Sequence, residues 1–177
     1  MSFTGLLLAG GKSLRMGQDK SLMFGGVARK KELLFRIGAC RVIVLCGGAS
    51  RIDMFEGEVL PDPEHCNGIH EVVEWAIGEL DDDVLLVPCD AFLLEEKACG
   101  AFVELAKNGG VPVDGDGRRQ PLFSYIPRTF DVPKTAGSMR EIVKSLPTIN
   151  TQKYGLIFTN FNRSEQLKEY RDELSRL

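Results

Sequence analysis

Apolar residues recur along this chain in two alternating rhythms. A short apolar run from Phe3 ends at Gly10-Gly11 and reads as a buried strand. Over 29–37, Leu33, Leu34 and Ile37 fall on one face at helical spacing. Val42-Ile43-Val44-Leu45 is a second buried strand, ended by Gly47-Gly48. Residues 58–60 predict a short third strand that stops at Pro61-Asp62-Pro63. Over 71–80, Val72, Val73, Ala76 and Ile77 return to the helical period, and 84–87 is a fourth strand closing at Pro88-Cys89-Asp90. Residues 95–108 predict a helix ended by Gly109-Gly110. Residues 111–113 and 121–126 predict strands around a turn at Asp114-Gly115-Asp116-Gly117. A late strand over 154–159 precedes a terminal helix with Ser164 as its N-cap. Strands alternating with helices imply an α/β fold, a mostly parallel sheet with helices on both faces.

Composition narrows the class. A chain of 177 residues suits one domain, 1–177, without repeat, low-complexity segment or linker. With 22 basic against 25 acidic residues and no basic block, nucleic acid is not the expected partner. No apolar run reaches bilayer-spanning length and no signal peptide is visible, so the expected setting is the cytoplasm, with no membrane partner. The five cysteines lack a Cys-x-x-C pair and read as reduced, mostly buried thiols. His65 and Cys66 have no further ligands at zinc spacing.

The chemistry concentrates after the first strand. Paired glycines at Gly10-Gly11 let backbone N–H groups line a concave surface where phosphate oxygens bind. Lys12, Arg15 and Lys20 follow and can offset the charge of a triphosphate. A Walker A loop needs a glycine where this chain has Leu6, and Gly10, Gly11 and Gly17 do not give the dinucleotide spacing. Asp90 is the second candidate. Its carboxylate emerges at the carboxyl end of a buried strand, the edge where open α/β sheets bind ligands. It suits either a Mg²⁺ ligand or a cap on the following turn. Asp81, Asp82 and Asp83 read as a solvated turn, and His70 as a polar residue at a helix entry.

From Leu8 to Lys20 the chain follows Leu-x-Gly-Gly-x-Ser-x-Arg-Met-Gly-x-x-Lys, position by position. This resembles the signature of nucleotidyltransferases of the molybdenum cofactor guanylyltransferase family. Later landmarks are similar in order: Pro61-Asp62, Val87-Pro88-Cys89-Asp90, Gln120-Pro121-Leu122-Phe123, and Asn160-Phe161-Asn162 before a helix. The resemblance implies a Rossmann-like three-layer nucleotidyltransferase fold and transfer of GMP from GTP to the phosphate of molybdopterin, with Mg²⁺ as cofactor. It implies that Leu8, Ala9, Gly10, Gly11, Lys20, Asp62 and Asp90 bind nucleotide and that Asp90 also holds the metal. Arg15, Lys20 and Asp90 would carry catalysis, Arg15 on the β,γ-phosphates and Lys20 at the α-phosphate. Asn160 and Asn162 would bind the acceptor, and companion proteins of cofactor biosynthesis become possible partners.

The chain departs from this pattern twice. Asn67-Gly68-Ile69-His70-Glu71 replaces the family's Gly-Pro-Leu-Ala-Gly, and Gly25-Gly26-Val27-Ala28-Arg29 lacks the usual Pro-Leu-Leu. Two other expectations therefore stand beside the first. One is a sister transferase using CTP or another triphosphate with a different phosphate acceptor. The other is a nucleotide-binding module without turnover.

Overall fold

In the computed structural model, which describes residues 2–11, 19–162 and 164–177, the central strands are covered on both sides. β1 (Phe3–Leu8) is buried at every position. Its Phe3 and Leu7 join one core cluster while Leu6 and Leu8 join another. β2 (Ala39–Leu45) divides in the same way, with Val42 and Val44 against Ile43 and Leu45. So does β4 (Asp83–Pro88), with Leu85 and Val87 against Val84 and Leu86. Side chains alternate across a strand, so two covered faces require the near-continuous apolar runs seen in the sequence.

Helices supply the outer layers. Leu33 and Leu34 of α1 (Gly26–Arg36) and Ala98 and Phe102 of α3 (Glu96–Leu105) pack on the first face. Val72, Val73 and Ala76 of α2 (Ile69–Gly78) cover the second, joined by Met139 and Ile142 of α4 (Met139–Ile142). The fold is the three-layer α/β arrangement with a mostly parallel sheet. Among the described residues no helix is long and apolar enough to cross a membrane.

Strand order positions the site. With β3 (Glu58–Leu60) and β6 (Tyr125–Ile126), the sheet runs β3-β2-β1-β4-β6. All neighbours are parallel except β4 and β6. A separate parallel pair joins β5 (Val111–Pro112) to β7 (Thr148–Ile149). The chain builds β2 and β3 on one side of β1, then returns to the other side with β4. A topological switch point therefore opens between the carboxyl ends of β1 and β4.

Several local expectations are corrected. Only Tyr125–Ile126 of the span 121–126 is a strand, because Pro121–Phe123 forms a 3-10 turn led by Pro121, which has no N–H for a ladder. Residues 154–159 are not a strand, since Gln152–Phe158 is a 3-10 segment interrupted at Gly155 (φ 58°). Phe158 there packs against the rings of Phe102 and Phe123 at 5.6 Å each, so apolar composition reflected core contact rather than strand pairing. Ser164 is the first residue of α5 (Ser164–Glu169) and its hydroxyl donates to Glu165 instead of capping. The terminal helix breaks at Tyr170 before α6 (Arg171–Leu174). The three aspartates are not only a solvated turn. Asp82 accepts from the Thr4 hydroxyl at 2.9 Å, and Asp83 accepts from the Tyr125 hydroxyl at 2.9 Å, clamping β1 and β6 to the start of β4.

Candidate functional site

The switch point brings the two sequence candidates together. Leu8 pairs in register with Pro88, and the Cys89 N–H donates to the Leu8 carbonyl at 3.1 Å. Ala9, Gly10 and Gly11 therefore leave β1 beside the turn that carries Asp90. Lys20 opens a 3-10 turn (Lys20–Gly25) whose N-cap Asp19 accepts from the Ser21 N–H. From there Lys20 Nζ donates to Asp90 Oδ2 at 3.0 Å, with both side chains largely buried. Among the described residues no other donor reaches the Asp90 carboxylate, so it does not cap its turn through a backbone N–H. Arg15 lies outside the described residues.

Glycines allow the floor of the site. A Cβ on Gly10 would stand 3.1 Å from both Cα and N of Gly47 and 3.3 Å from Asp62 Oδ2. Gly47 itself has φ +84°, a left-handed backbone that suits glycine. Asp62 closes the corner: its N–H donates to the Gly47 carbonyl at 2.7 Å, and its Oδ1 accepts from the Gly47 N–H at 3.2 Å. Burial pushes the Asp62 carboxyl up, and the Gly47 N–H offsets part of that rise. Leu8, Ala9, Gly10, Gly11, Lys20, Asp62 and Asp90 thus gather along one sheet edge.

The acceptor candidates meet this edge from the carboxyl-terminal side. Phe161 inserts between Phe92 and Tyr170, with ring centroids 5.6 and 5.9 Å away, and its N–H donates to the Asp90 carbonyl at 3.0 Å. This anchor holds Asn162 so that its Oδ1 accepts from Lys20 Nζ at 3.3 Å. Asn160 and Asn162 line a cleft of about 300 Å³ with Asp114, Arg118, Gln120 and Tyr170. Asp114 accepts from the N–H groups of Asp116 and Arg118 and from Gln120 Nε2 at 2.7 Å, which fixes the Gln120 amide at the cleft wall. Asn160 Oδ1 is buried and, among the described residues, accepts no hydrogen bond.

The sequence reading missed Arg51. It follows β2 in a 3-10 turn (Ala49–Met54), and its guanidinium donates to the carbonyls of Cys46 (2.8 Å) and Ala9 (3.0 Å). It also donates to Asp19 Oδ2 at 2.5 Å and to Ser21 Oγ at 3.1 Å. Burial alone would raise the Asp19 carboxyl, but the hydrogen bonds from Arg51 and Ser21 outweigh it and hold it below the usual range. The one available signal was a cation a few residues past Gly47-Gly48, at the ligand-binding edge. The altered segment is ordinary locally: the Asn67 N–H donates to Glu71 at the entry to α2, and His70 sits in the first turn.

A family model described as a MobA-like NTP transferase domain matches residues 5–147. The chain belongs to that family. It is a nucleotidyltransferase of the MobA-like kind. It is similar to the "Probable molybdenum cofactor guanylyltransferase" of Pelotomaculum thermopropionicum, with 28% identity over 96% of this chain and 82% of that protein. Among solved structures it superposes on molybdopterin-guanine dinucleotide biosynthesis protein A from Archaeoglobus fulgidus with TM-score 0.72 and 14% identity, covering 99% of this chain and 100% of that one. A nucleotidyl transferase from Methanothermobacter gives TM-score 0.70 at 11% identity, over 98% of each chain. At such identities these structures establish the fold of the MobA-like chain and nothing finer.

Proposed function

We propose that this chain, as one domain over 1–177, transfers GMP from GTP to the phosphate of a molybdopterin-type acceptor. The observation that carries the reading is Lys20 Nζ placed 3.0 Å from Asp90 and 3.3 Å from Asn162, between the nucleotide edge and the polar cleft. Membership in the family supports the reaction class, and the similarity to a probable guanylyltransferase supports the substrates. An acceptor phosphate oxygen attacks the α-phosphorus of GTP, the new P–O–P link forms, and the α–β bridge breaks to release pyrophosphate. The acceptor is already ionised, so no strong general base is needed. Positioning and charge stabilisation carry the chemistry, as in phosphoryl transfer.

Lys20 neutralises charge at the α-phosphate, and the backbone from Leu8 to Gly11 with Asp62 lines the nucleoside. Arg15 takes the β,γ-phosphates in this proposal. The Asp90 carboxylate fits Mg²⁺, because among the described residues one of its oxygens is engaged, and Mg²⁺ commonly takes one or two carboxylates with phosphate oxygens and water. Bound there, the ion would stabilise the charge on departing pyrophosphate. Asn160, Asn162 and Gln120 receive the acceptor.

Thermal shift with GTP, CTP, ATP and UTP, with and without Mg²⁺, tests the reading on wild type and Asp90→Ala. Ligand at a hundred times its dissociation constant adds about 2.7 kcal/mol to a folded state it binds exclusively. The expected result is a Mg²⁺-dependent shift for GTP that Asp90→Ala loses, followed by pyrophosphate release with molybdopterin. A shift for CTP alone would move the chain to the sister reaction, and no shift with any nucleotide would overturn the proposal.

A further inference from the structure

Arg51 holds the residues that frame Lys20. Its Nε and Nη2 bind the carbonyls of Cys46 at the end of β2 and Ala9 at the end of β1. The same guanidinium binds both carboxylate oxygens of Asp19, at 2.5 and 3.3 Å, and the Ser21 hydroxyl at 3.1 Å. Asp19 and Ser21 flank Lys20, and Asp19 also takes the Ser21 hydroxyl at 2.6 Å. Two carbonyls at the carboxyl ends of the sheet are thereby tied through one rigid fork to the backbone on either side of Lys20. The Arg51 side chain is about one-fifth exposed, and Phe55 covers one side with its ring centroid 5.7 Å from the guanidinium carbon. A planar guanidinium can make this set of contacts at once, whereas an ammonium on a flexible stem cannot.

We propose that Arg51 is a positioning residue for nucleotidyl transfer: by clamping Asp19 and Ser21 to the ends of β1 and β2, it fixes the register in which Lys20 reaches Asp90. The inference rests on the proposed roles of Lys20 and Asp90 for its kinetic consequence, and on geometry alone for its structural one. Misplacing a charge-stabilising group by about 1 Å costs on the order of 10²-fold in rate. Arg51 acts through Lys20, so its effect disappears once Lys20 is gone.

The test compares pyrophosphate release by wild type, Arg51→Ala, Lys20→Ala and the double variant. Arg51→Ala is expected to lower kcat/KM on the order of 10²-fold, mostly in kcat. It should cost little further in the Lys20→Ala background. An equal loss in both backgrounds, or a lowered Tm with unchanged kcat, marks a merely structural residue and overturns the proposal. Arg51→Lys keeps the charge and the fold but not the fork, and is expected to side with the alanine variant; wild-type turnover overturns the clamp.

A second reading needs no turnover. The coupling of Lys20 with Asp90, taken from unfolding midpoints of the two single alanine variants and their double, should vanish when Arg51→Ala is added. Its persistence overturns the proposal even if no triphosphate proves to be a substrate, an outcome that would by itself remove only the assigned reaction.

Discussion

Lys20 Nζ lies 3.0 Å from Asp90 Oδ2, although the two residues are 70 positions apart in the chain. The pair exists because β1 and β4 are neighbours in the sheet, so the turn after β4 opens beside the loop after β1. It joins the cation proposed for the α-phosphate to the carboxylate proposed for the metal. Substrate would insert between them, exchanging their mutual contact for phosphate and Mg²⁺. Lys20→Ala or Asp90→Ala is therefore expected to lower turnover on the order of 10²-fold or more, about the effect of losing one transition-state contact. Steady-state pyrophosphate release measures this, and wild-type rates in either variant would refute the roles given to both.

Gly10 faces Gly47 across a gap in which a methyl group would be crowded. A Cβ at Gly10 would lie 3.1 Å from Gly47 backbone atoms, which cannot swing aside as a side-chain tip does. Gly10→Ala is expected to cost about 1–3 kcal/mol through overpacking. It should also reduce the thermal shift produced by GTP, since Asp62 Oδ2 is the other atom crowded. Gly48→Ala is the control: its nearest neighbour is Ser50 Oγ at 3.9 Å, and it should be neutral by denaturant unfolding. Equal stability of the two variants would remove the close approach as the reason for glycine.

Much of this arrangement was legible in the sequence, for physical reasons that differ by element. The strands β1, β2 and β4 announced themselves because burial on both faces demands unbroken apolar runs. Asp90 could be placed at the ligand edge because it directly follows such a run. The carboxyl-terminal third was less legible. Tyr154, Ile157 and Phe158 pack on the core from an irregular 3-10 segment, so their apolar character imitated a strand without strand pairing. Arg51 was invisible for another reason: acceptors on four residues from three separate stretches converge on it, and only the folded sheet brings them within reach. The gathering of Asn160, Asn162 and Gln120 on one cleft likewise followed from the family's landmarks, with no periodicity to predict it.

Substitution at Asn160 would separate acceptor binding from nucleotide binding in the proposed reaction. Among the described residues its buried Oδ1 accepts no hydrogen bond, an arrangement that favours a ligand N–H or O–H. Asn160→Ala is expected to raise the KM for the acceptor about tenfold, the worth of one hydrogen bond, while leaving the KM for GTP within about twofold. Kinetics with each substrate varied in turn decides it. A selective change in the GTP constant would move Asn160 to the nucleotide side.

Lys30 gives the fold a pH dependence whose sign can be worked out. It is 1% exposed, its Nζ has no hydrogen-bond partner among the described residues, and Phe92 offers only a ring face with its centroid 5.5 Å away. Burial lowers its ammonium to about 8 from an ordinary 10.5, with Cys89 and Asp90 opposing part of the fall. Below pH 8 both folded and unfolded chains hold the proton, and the cost of burying it is fully present. Between pH 8 and 10.5 the unfolded chain holds more protons than the folded one, so this group makes stability rise with pH. The cost that disappears is about 3 kcal/mol at most, from about 1.36 kcal/mol for each pH unit of difference. The buried thiols of Cys89 and Cys99, pushed up to about 12, act oppositely above pH 9, so the comparison must be made against Lys30→Met in the same buffers. At pH 7 the variant should be the more stable protein by denaturant unfolding. That advantage should hold to about pH 8 and then shrink up to pH 10.5, and an advantage independent of pH would mean that Lys30 is not buried as an ammonium.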